Sequence, residues 1–294
     1  MPCELNREAG CELTVMTEPE LASLLLDEGR RVVEHRGRYW TTQKGGFFTP
    51  VHALARLRAN EISVPRSWGW GYRAALADED ASLSNGSVPV HLLSDLDSYG
   101  EARLNRERRR NLRRCQEQVE IRRVEDPELL AQQGYDVFAS AMKRVGYWKP
   151  LSPVRYRERR LRRAADPRWM ILAGLVDGRL SGYFEAYAVD GVMYTQDLHV
   201  ATDAMLTGIA TGLWFEMLMT AARSGQVREV CLGLHAPEVP NLGSVKAGLG
   251  SHVVRVPART YMHPPIGAYL ASRHPATHYR LTGSGAYSQD VDAP

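Results

Sequence analysis

The chain has 294 residues, 44% of them hydrophobic and 24% charged, with a formal net charge of +3. That composition excludes a wholly disordered chain, and the length exceeds a single domain of about 100–150 residues, so two domains are expected. No run of about 18 apolar residues exists and Met1 to Gly10 is polar and acidic, which argues against a membrane span or a signal peptide and for a soluble, cytoplasmic protein.

The four cysteines, Cys3, Cys11, Cys115 and Cys231, are scattered without a C-x-x-C pair or metal-ligand spacing, which reads as thiols in a reducing compartment and no metal or cofactor. Charge is uneven. Glu101 to Arg163 holds 18 Lys+Arg against 9 Asp+Glu, a surplus of +9, while the rest of the chain carries −6. A basic patch on an acidic body suits a polyanionic partner, or is the solvated face of Arg-rich helices.

In chain order, Glu18 to Glu34 has helical periodicity through Leu21, Leu24, Leu25, Val32 and Val33. Gly37 to Leu57 mixes aromatic and β-branched residues, punctuated by Gly45-Gly46, and an aromatic knot follows at Ser67 to Tyr72. Asp78 to Ser87 reads as a loop before a short strand, Val88 to Leu93. Leu104 to Arg114 is a helix with almost no apolar face, Pro127 to Ala141 an amphipathic helix, and Arg155 to Arg163 a second basic helix.

Strands are predicted at Met170 to Val176, Arg179 to Val189 and Val192 to Val200, joined by Asp177-Gly178 and Asp190-Gly191, a strong hairpin signal and hence an antiparallel meander. A long helix, Met205 to Ser224, ends at Gly225. The strand Glu229 to Leu234, a loop with Pro237 and Pro240, a short helix around Ser244 to Leu249 and a strand Val253 to Tyr261 interrupted by Pro257 follow. The tail from His263 is expected to pack back as a short helix or loop, with its last ten residues disordered.

This order resembles the GNAT superfamily of N-acyltransferases, in its FemAB-like branch of aminoacyl-tRNA-dependent transferases and CelD-like acyltransferases. Three segments carry the resemblance: the basic helix Asn105 to Arg114, the Asp177-Gly178 hairpin leading into Leu180-Ser181-Gly182-Tyr183, and Ser244-Val245-Lys246-Ala247-Gly248-Leu249-Gly250, similar to that branch's Phe-Lys-x-x-x-Gly segment. Val245 stands where the branch has an aromatic residue. The match covers about residues 101–262.

The resemblance implies an α/β, GNAT-like fold with a mixed, largely antiparallel central sheet flanked by helices. A smaller α/β domain at 1–100, which could be a reduced copy of that fold, would precede it, and a tail at 263–294 would follow. It also implies direct transfer of an acyl group to the amine of a small-molecule or peptide acceptor. Aminoacyl-tRNA is slightly favoured as donor over acyl-CoA. The stretch Ala204 to Gly212 has glycines but lacks the leading Arg or Gln of a CoA-binding loop. A non-catalytic RNA-binding module on the same scaffold is the alternative of another class. No membrane partner is expected, and oligomeric state is left open.

Acyl transfer needs a base for the amine and a positive site for the oxyanion. Lys246 is the candidate for charge stabilisation, by the resemblance. Asp197 and His199, alternating on one face of a strand with Tyr194 on the other, are candidates for base and orienting carboxylate, with Glu185 and His235 as further candidates. Arg106, Arg108, Arg109, Arg110 and Arg113, with Gly208 and Gly212, are candidates for holding the donor, tRNA included. Trp68, Trp70, Tyr72, Tyr147, Trp148 and Tyr194 would line an acceptor pocket or pack in the core.

Overall fold

Local signals set where each element starts and stops. The computed structural model describes residues 13–43, 45–146 and 150–285; Cys3, Cys11, Tyr147, Trp148 and the chain from 286 lie outside them. After a two-residue strand β1 (Val15–Met16), helix α1 (Glu18–Asp27) opens with the Thr17 backbone N–H donating to the Glu20 carboxylate at 2.7 Å. It stops seven residues short of the expected end because Gly29 adopts φ +77°, and Val32 and Val33 pass into a strand, β2 (Val32–His35).

The strands β3 (Arg38–Gln43), β4 (Phe47–Pro50), β5 (Gly71–Ala75) and β6 (Gly86–Leu93) follow, then the basic helix α2 (Arg106–Gln118) and β7 (Glu120–Arg123). Helices α3 (Pro127–Val145) and α4 (Pro153–Ala164) precede the meander β8 (Met170–Val176), β9 (Arg179–Val189) and β10 (Val192–Val200). Both Asp-Gly turns place both central residues at positive φ (Asp177 50°, Gly178 76°; Asp190 47°, Gly191 80°), the geometry that matches strand twist.

Helix α5 (Ile209–Ser224), β11 (Glu229–Leu234), α6 (Pro240–Gly248) and β12 (His252–Met262) come next. The proline placed in a loop, Pro240, begins α6, where a missing N–H costs nothing. Pro257 does not interrupt β12; it stands opposite Ser87 and its carbonyl accepts from the Leu76 N–H at 2.8 Å. The tail forms two helices, α7 (Pro264–Arg273) and α8 (Pro275–Thr282).

The protein is α/β, with a large and mostly antiparallel sheet flanked by helices. By contacts it divides into two units that do not follow chain order. The first holds Leu93–Val230 with Gly248–Gly250; the second holds Met16–Leu92, Cys231–Ala247 and the chain from Ser251. This replaces the linear division at 100 and 262. The reason is non-local pairing: β12, near the C-terminus, lies antiparallel between β5 (Ala258↔Ala75) and β6 (Val256↔Val88).

The first unit's sheet runs β7-β8-β9-β10. Its core is built from Phe184, Ala186 and Ala188 of β9 and from Ile209, Leu213, Met217 and Leu218 of α5, all nearly inaccessible. Each large side chain so buried contributes about 1.5–3 kcal/mol. The second unit's sheet runs β2-β3-β4-β5-β12-β6, with a core around Trp40, Phe48, Leu57, Tyr72 and Leu76.

Candidate functional site

Lys246 lies in the last turn of α6 with 5% of its surface exposed. Its ammonium makes no ion pair or hydrogen bond among the described residues, although burying an uncompensated charge is costly. Burial lowers its pKa, with Cys231 acting weakly in the other direction. The loop at the end of β11 brings His235 to the same place: its backbone N–H donates to the Pro89 carbonyl of β6 at 2.9 Å, and its Nδ1 lies 3.4 Å from Nε2 of His91.

Sequence reasoning missed His91. It is 3% exposed, its Nδ1 has no partner, and its pKa is pulled down to about 4 by burial, then by the Lys246 ammonium and by His235. The signal was present in Val88-Pro-Val-His-Leu-Leu, one titratable residue in an otherwise apolar strand. Gly243, one helical turn before Lys246 on α6, faces His91: a Cβ there would stand 3.7 Å from Nε2. Tyr279 of α8, fully buried, meets the His235 ring edge-on at 6.1 Å.

The other three candidates, Glu185, Asp197 and His199, gather in the first unit. Glu185 is 0% exposed and is held by two buried arginines of α4: Arg160 Nη1 donates to Oε1, and Arg163 Nη1 donates to Oε2 at 2.5 Å. Desolvation, the largest single influence, would lower the Arg160 pKa, but Glu185 together with Tyr183 and Tyr156 outweighs it and the net direction is upward. A carboxylate clamped by two guanidiniums is not a general base; Glu185 is an ion-pair anchor. Arg160 also lies over the rings of Tyr156 and Tyr183, 5.1 Å from each centroid, and Arg163 over Trp169 at 4.0 Å. The second basic helix therefore spends two of its arginines in the core.

Asp197 and His199 do share a face, but not by simple alternation. β10 carries a bulge between Thr195 and Leu198, where three of its steps span two of β9. The extra residue shifts the phase, so Tyr194, expected on the opposite face, joins them: it stacks on its partner Tyr187 at 5.5 Å, as His199 packs on its partner Tyr183 at 5.1 Å. Desolvation would raise the Asp197 pKa, but Arg160, His199, Arg163 and Arg159 lower it on balance. Burial pulls His199 down to about 4 against the opposing pull of Asp197, and its Nδ1 is unpartnered. Asp197 is 3.6 Å from both Arg159 and Arg163.

Of the candidate donor residues, Arg106, Arg109, Arg110 and Arg113 lie on the exposed face of α2 and make no ion pair among the described residues. Arg108 differs. It turns inward, donating to Glu107 at 2.6 Å and to the Thr211 hydroxyl at 3.4 Å. Gly208 and Gly212 are packing positions: a Cβ on Gly208 (φ +81°) would collide with the Asn111 carbonyl, and one on Gly212 with the Cys115 sulfur, both on α2. Among the candidate aromatics, Tyr72 stacks near Tyr261 and meets Trp40 edge-on, Trp70 packs on Phe47, and Trp68, 51% exposed, leans on Phe48. These belong to the β4–β5 end of the second unit and its core, two strands from β6.

No helix of the described residues is long and apolar enough to cross a membrane, and no group of three or more His, Cys, Asp or Glu among them could hold a metal ion. The sequence matches no protein-family profile and no curated protein. Solved structures do match its fold. The C-terminal domain of a protein described as a lysylphosphatidylglycerol synthetase of Agrobacterium fabrum is 11% identical, with 92% of this chain and 99% of that one covered and a TM-score of 0.58. FemX is 10% identical, covering 88% and 94%, with a TM-score of 0.59. L-PGS of Bacillus licheniformis is 12% identical, covering 92% and 99%, with a TM-score of 0.55. At these identities the likeness is one of fold alone, the fold shared with FemX and the two synthetase structures.

Proposed function

We propose that the chain is an N-acyltransferase that moves an aminoacyl or acyl group from an activated donor to an amine, with Lys246 stabilising the oxyanion. The observation that carries this reading is the buried Lys246 ammonium, which has no counter-charge among the described residues. In the reaction the amine nitrogen attacks the donor carbonyl carbon, the carbonyl oxygen gains negative charge beside Lys246, and the C–O or C–S bond to the donor breaks as the amide forms. The amine gives up one proton, and the leaving oxygen or sulfur takes one.

Two observations support an aminoacyl-tRNA donor over acyl-CoA. Four exposed arginines on one face of α2, with no ion pair among the described residues, suit a long phosphate backbone. The faces of Gly208 and Gly212 are filled by α2, which removes the close backbone approach that a pyrophosphate would use there. The acceptor is a small molecule or a peptide bearing a primary amine.

The test is transfer from bulk radiolabelled aminoacyl-tRNA, and in parallel from labelled acetyl-CoA, to a panel of amines. Amide product from the tRNA that is lost on Lys246→Ala supports the reading. Product from acetyl-CoA alone would reassign the donor. Salt-sensitive tRNA binding without transfer, unaffected by Lys246→Ala, would make the chain an RNA-binding module instead.

A further inference from the structure

The buried side of the Lys246 site holds a pair of imidazoles with unequal access to water. His91 is enclosed, with 3% exposure, whereas His235 is half-buried at the end of β11. Their facing nitrogens are 3.4 Å apart and their rings meet edge-on, 5.4 Å between centroids. The arrangement is braced: the His235 N–H to Pro89 carbonyl bond ties it to the residue two places before His91, on the same face of β6. The remaining nitrogen of His91, Nδ1, is buried and has no hydrogen-bond partner among the described residues.

We propose that His91 and His235 form a proton relay, in which Nδ1 of His91 takes the proton of the attacking amine and Nε2 of His91 passes its own to Nδ1 of His235, which returns a proton to water. This rests on the acyl-transfer reading of the Lys246 site. The proton balance closes on one tautomer: His91 carries its resting proton on Nε2, donates it toward His235 and keeps the Nδ1 lone pair for the amine. The 3.4 Å separation is long for a resting hydrogen bond, as such contacts commonly are before substrate binds.

The groups facing the pair explain why the resting imidazole is neutral. Lys246 and Gly243 face it from α6, Cys231 lies beside Lys246 on β11, and Tyr279 of α8 stands against His235 with the Arg255 guanidinium 5.8 Å over its ring. Burial, then the cationic Lys246 and His235, hold His91 low. As the oxyanion forms beside Lys246, that positive charge is neutralised and its repulsion of a second proton on His91 falls away. The base is thus stronger in the transition state than at rest, the differential that accelerates a reaction.

The experiment uses the full chain, bulk labelled aminoacyl-tRNA and two acceptors: glycinamide, a basic amine largely protonated at neutral pH, and hydroxylamine, which is uncharged there. His91→Gln is expected to lower transfer to glycinamide by about 10²–10⁴-fold, with a markedly smaller loss toward hydroxylamine, while Lys246→Ala lowers both alike. His235→Gln loses less, and added imidazole restores part of it. Transfer by the wild-type chain with His91→Gln unimpaired overturns the relay and leaves the acyl-transfer reading standing. Transfer by the wild type to neither amine, from tRNA or acetyl-CoA, overturns both. Independently of activity, ¹⁵N NMR of the imidazoles is expected to show His91 neutral and protonated on Nε2 between pH 6 and 8 in the wild type, and a Nδ1-protonated ring overturns the relay. Urea midpoints of the variants control for folding.

Discussion

Glu185 separates a structural carboxylate from a catalytic one. Glu185→Gln keeps the side-chain volume and one carbonyl acceptor, so it creates no cavity; it removes the negative charge between two guanidiniums that are 1% and 4% exposed. Breaking a buried ion pair on one side costs about 3–5 kcal/mol, because the remaining charge is left in a low-dielectric site. Asp197 offers partial relief, 4.0 Å from Arg160 and 3.6 Å from Arg163, but its side chain is 40% exposed and water screens it. Against a total stability of about 5–15 kcal/mol, the loss is about a fifth or more. Urea unfolding followed by tryptophan fluorescence reads it, since Trp169 lies under Arg163. Asp197→Asn serves as the partly exposed control and should cost under about 1 kcal/mol. A Glu185→Gln chain that keeps its midpoint but loses transfer would refute the anchor assignment and restore Glu185 as a base.

Gly212→Ala should destabilise the chain by about 1–3 kcal/mol in the same assay, because the new methyl meets the Cys115 sulfur on α2; a neutral result would mean that the glycine face is open. Replacing Arg106, Arg109, Arg110 and Arg113 with Ala should reduce the salt slope of tRNA binding by about 3–4, at roughly 0.9 per phosphate contact, with little change in the urea midpoint. Acid stability should fall early. His91 and His199 sit at about 4 in the folded chain, against an ordinary 6.5, so the unfolded chain binds more protons between those values. Stability from these groups is complete above pH 6.5 and is lost as pH falls toward 4, by about 1.4 kcal/mol per pH unit for each. His199→Gln should flatten the slope of urea stability against pH by about one proton in that window, and an unchanged slope would contradict the burial of a neutral ring.

What the sequence made legible was local. The two Asp-Gly turns specify their own backbone geometry, so the β8–β10 meander and the helix after it could be read directly. The expected helix through Val33 failed because one glycine at positive φ ends α1, and two β-branched residues beyond it then favour a strand. The division of the chain failed for a different reason. The pairing of β12 with β5 and β6 joins residues some 160–190 positions apart, and no periodicity announces it. The site shows the same split. Lys246 and His235 were visible as single residues near the ends of recognisable elements, but His91 becomes a candidate only once β6 is placed against the end of β11. Tyr194 was put on the wrong face because a bulge, which leaves no pattern in residue type, resets the alternation after it.

The basic segment gains a sharper meaning from the same comparison. Counted along the sequence, its surplus of +9 is spread over two helices, and either could meet a polyanion. Arg160 and Arg163 of α4 are neutralised inside the first unit by Glu185, with Asp197 close by, and Arg157 and Arg159 are paired at the surface with Glu128 and Asp197. Helix α2 buries only Leu112 and Cys115, and its outward arginines make no ion pair among the described residues. Desolvating α4 for a ligand would break ion pairs already made, whereas counterions on α2 are released without that cost. On the reading proposed above, an anionic donor would be drawn to α2. A charge reversal on Arg110 should weaken its binding, while one on Arg157 should act on α4's own pairing and leave that binding largely as it was.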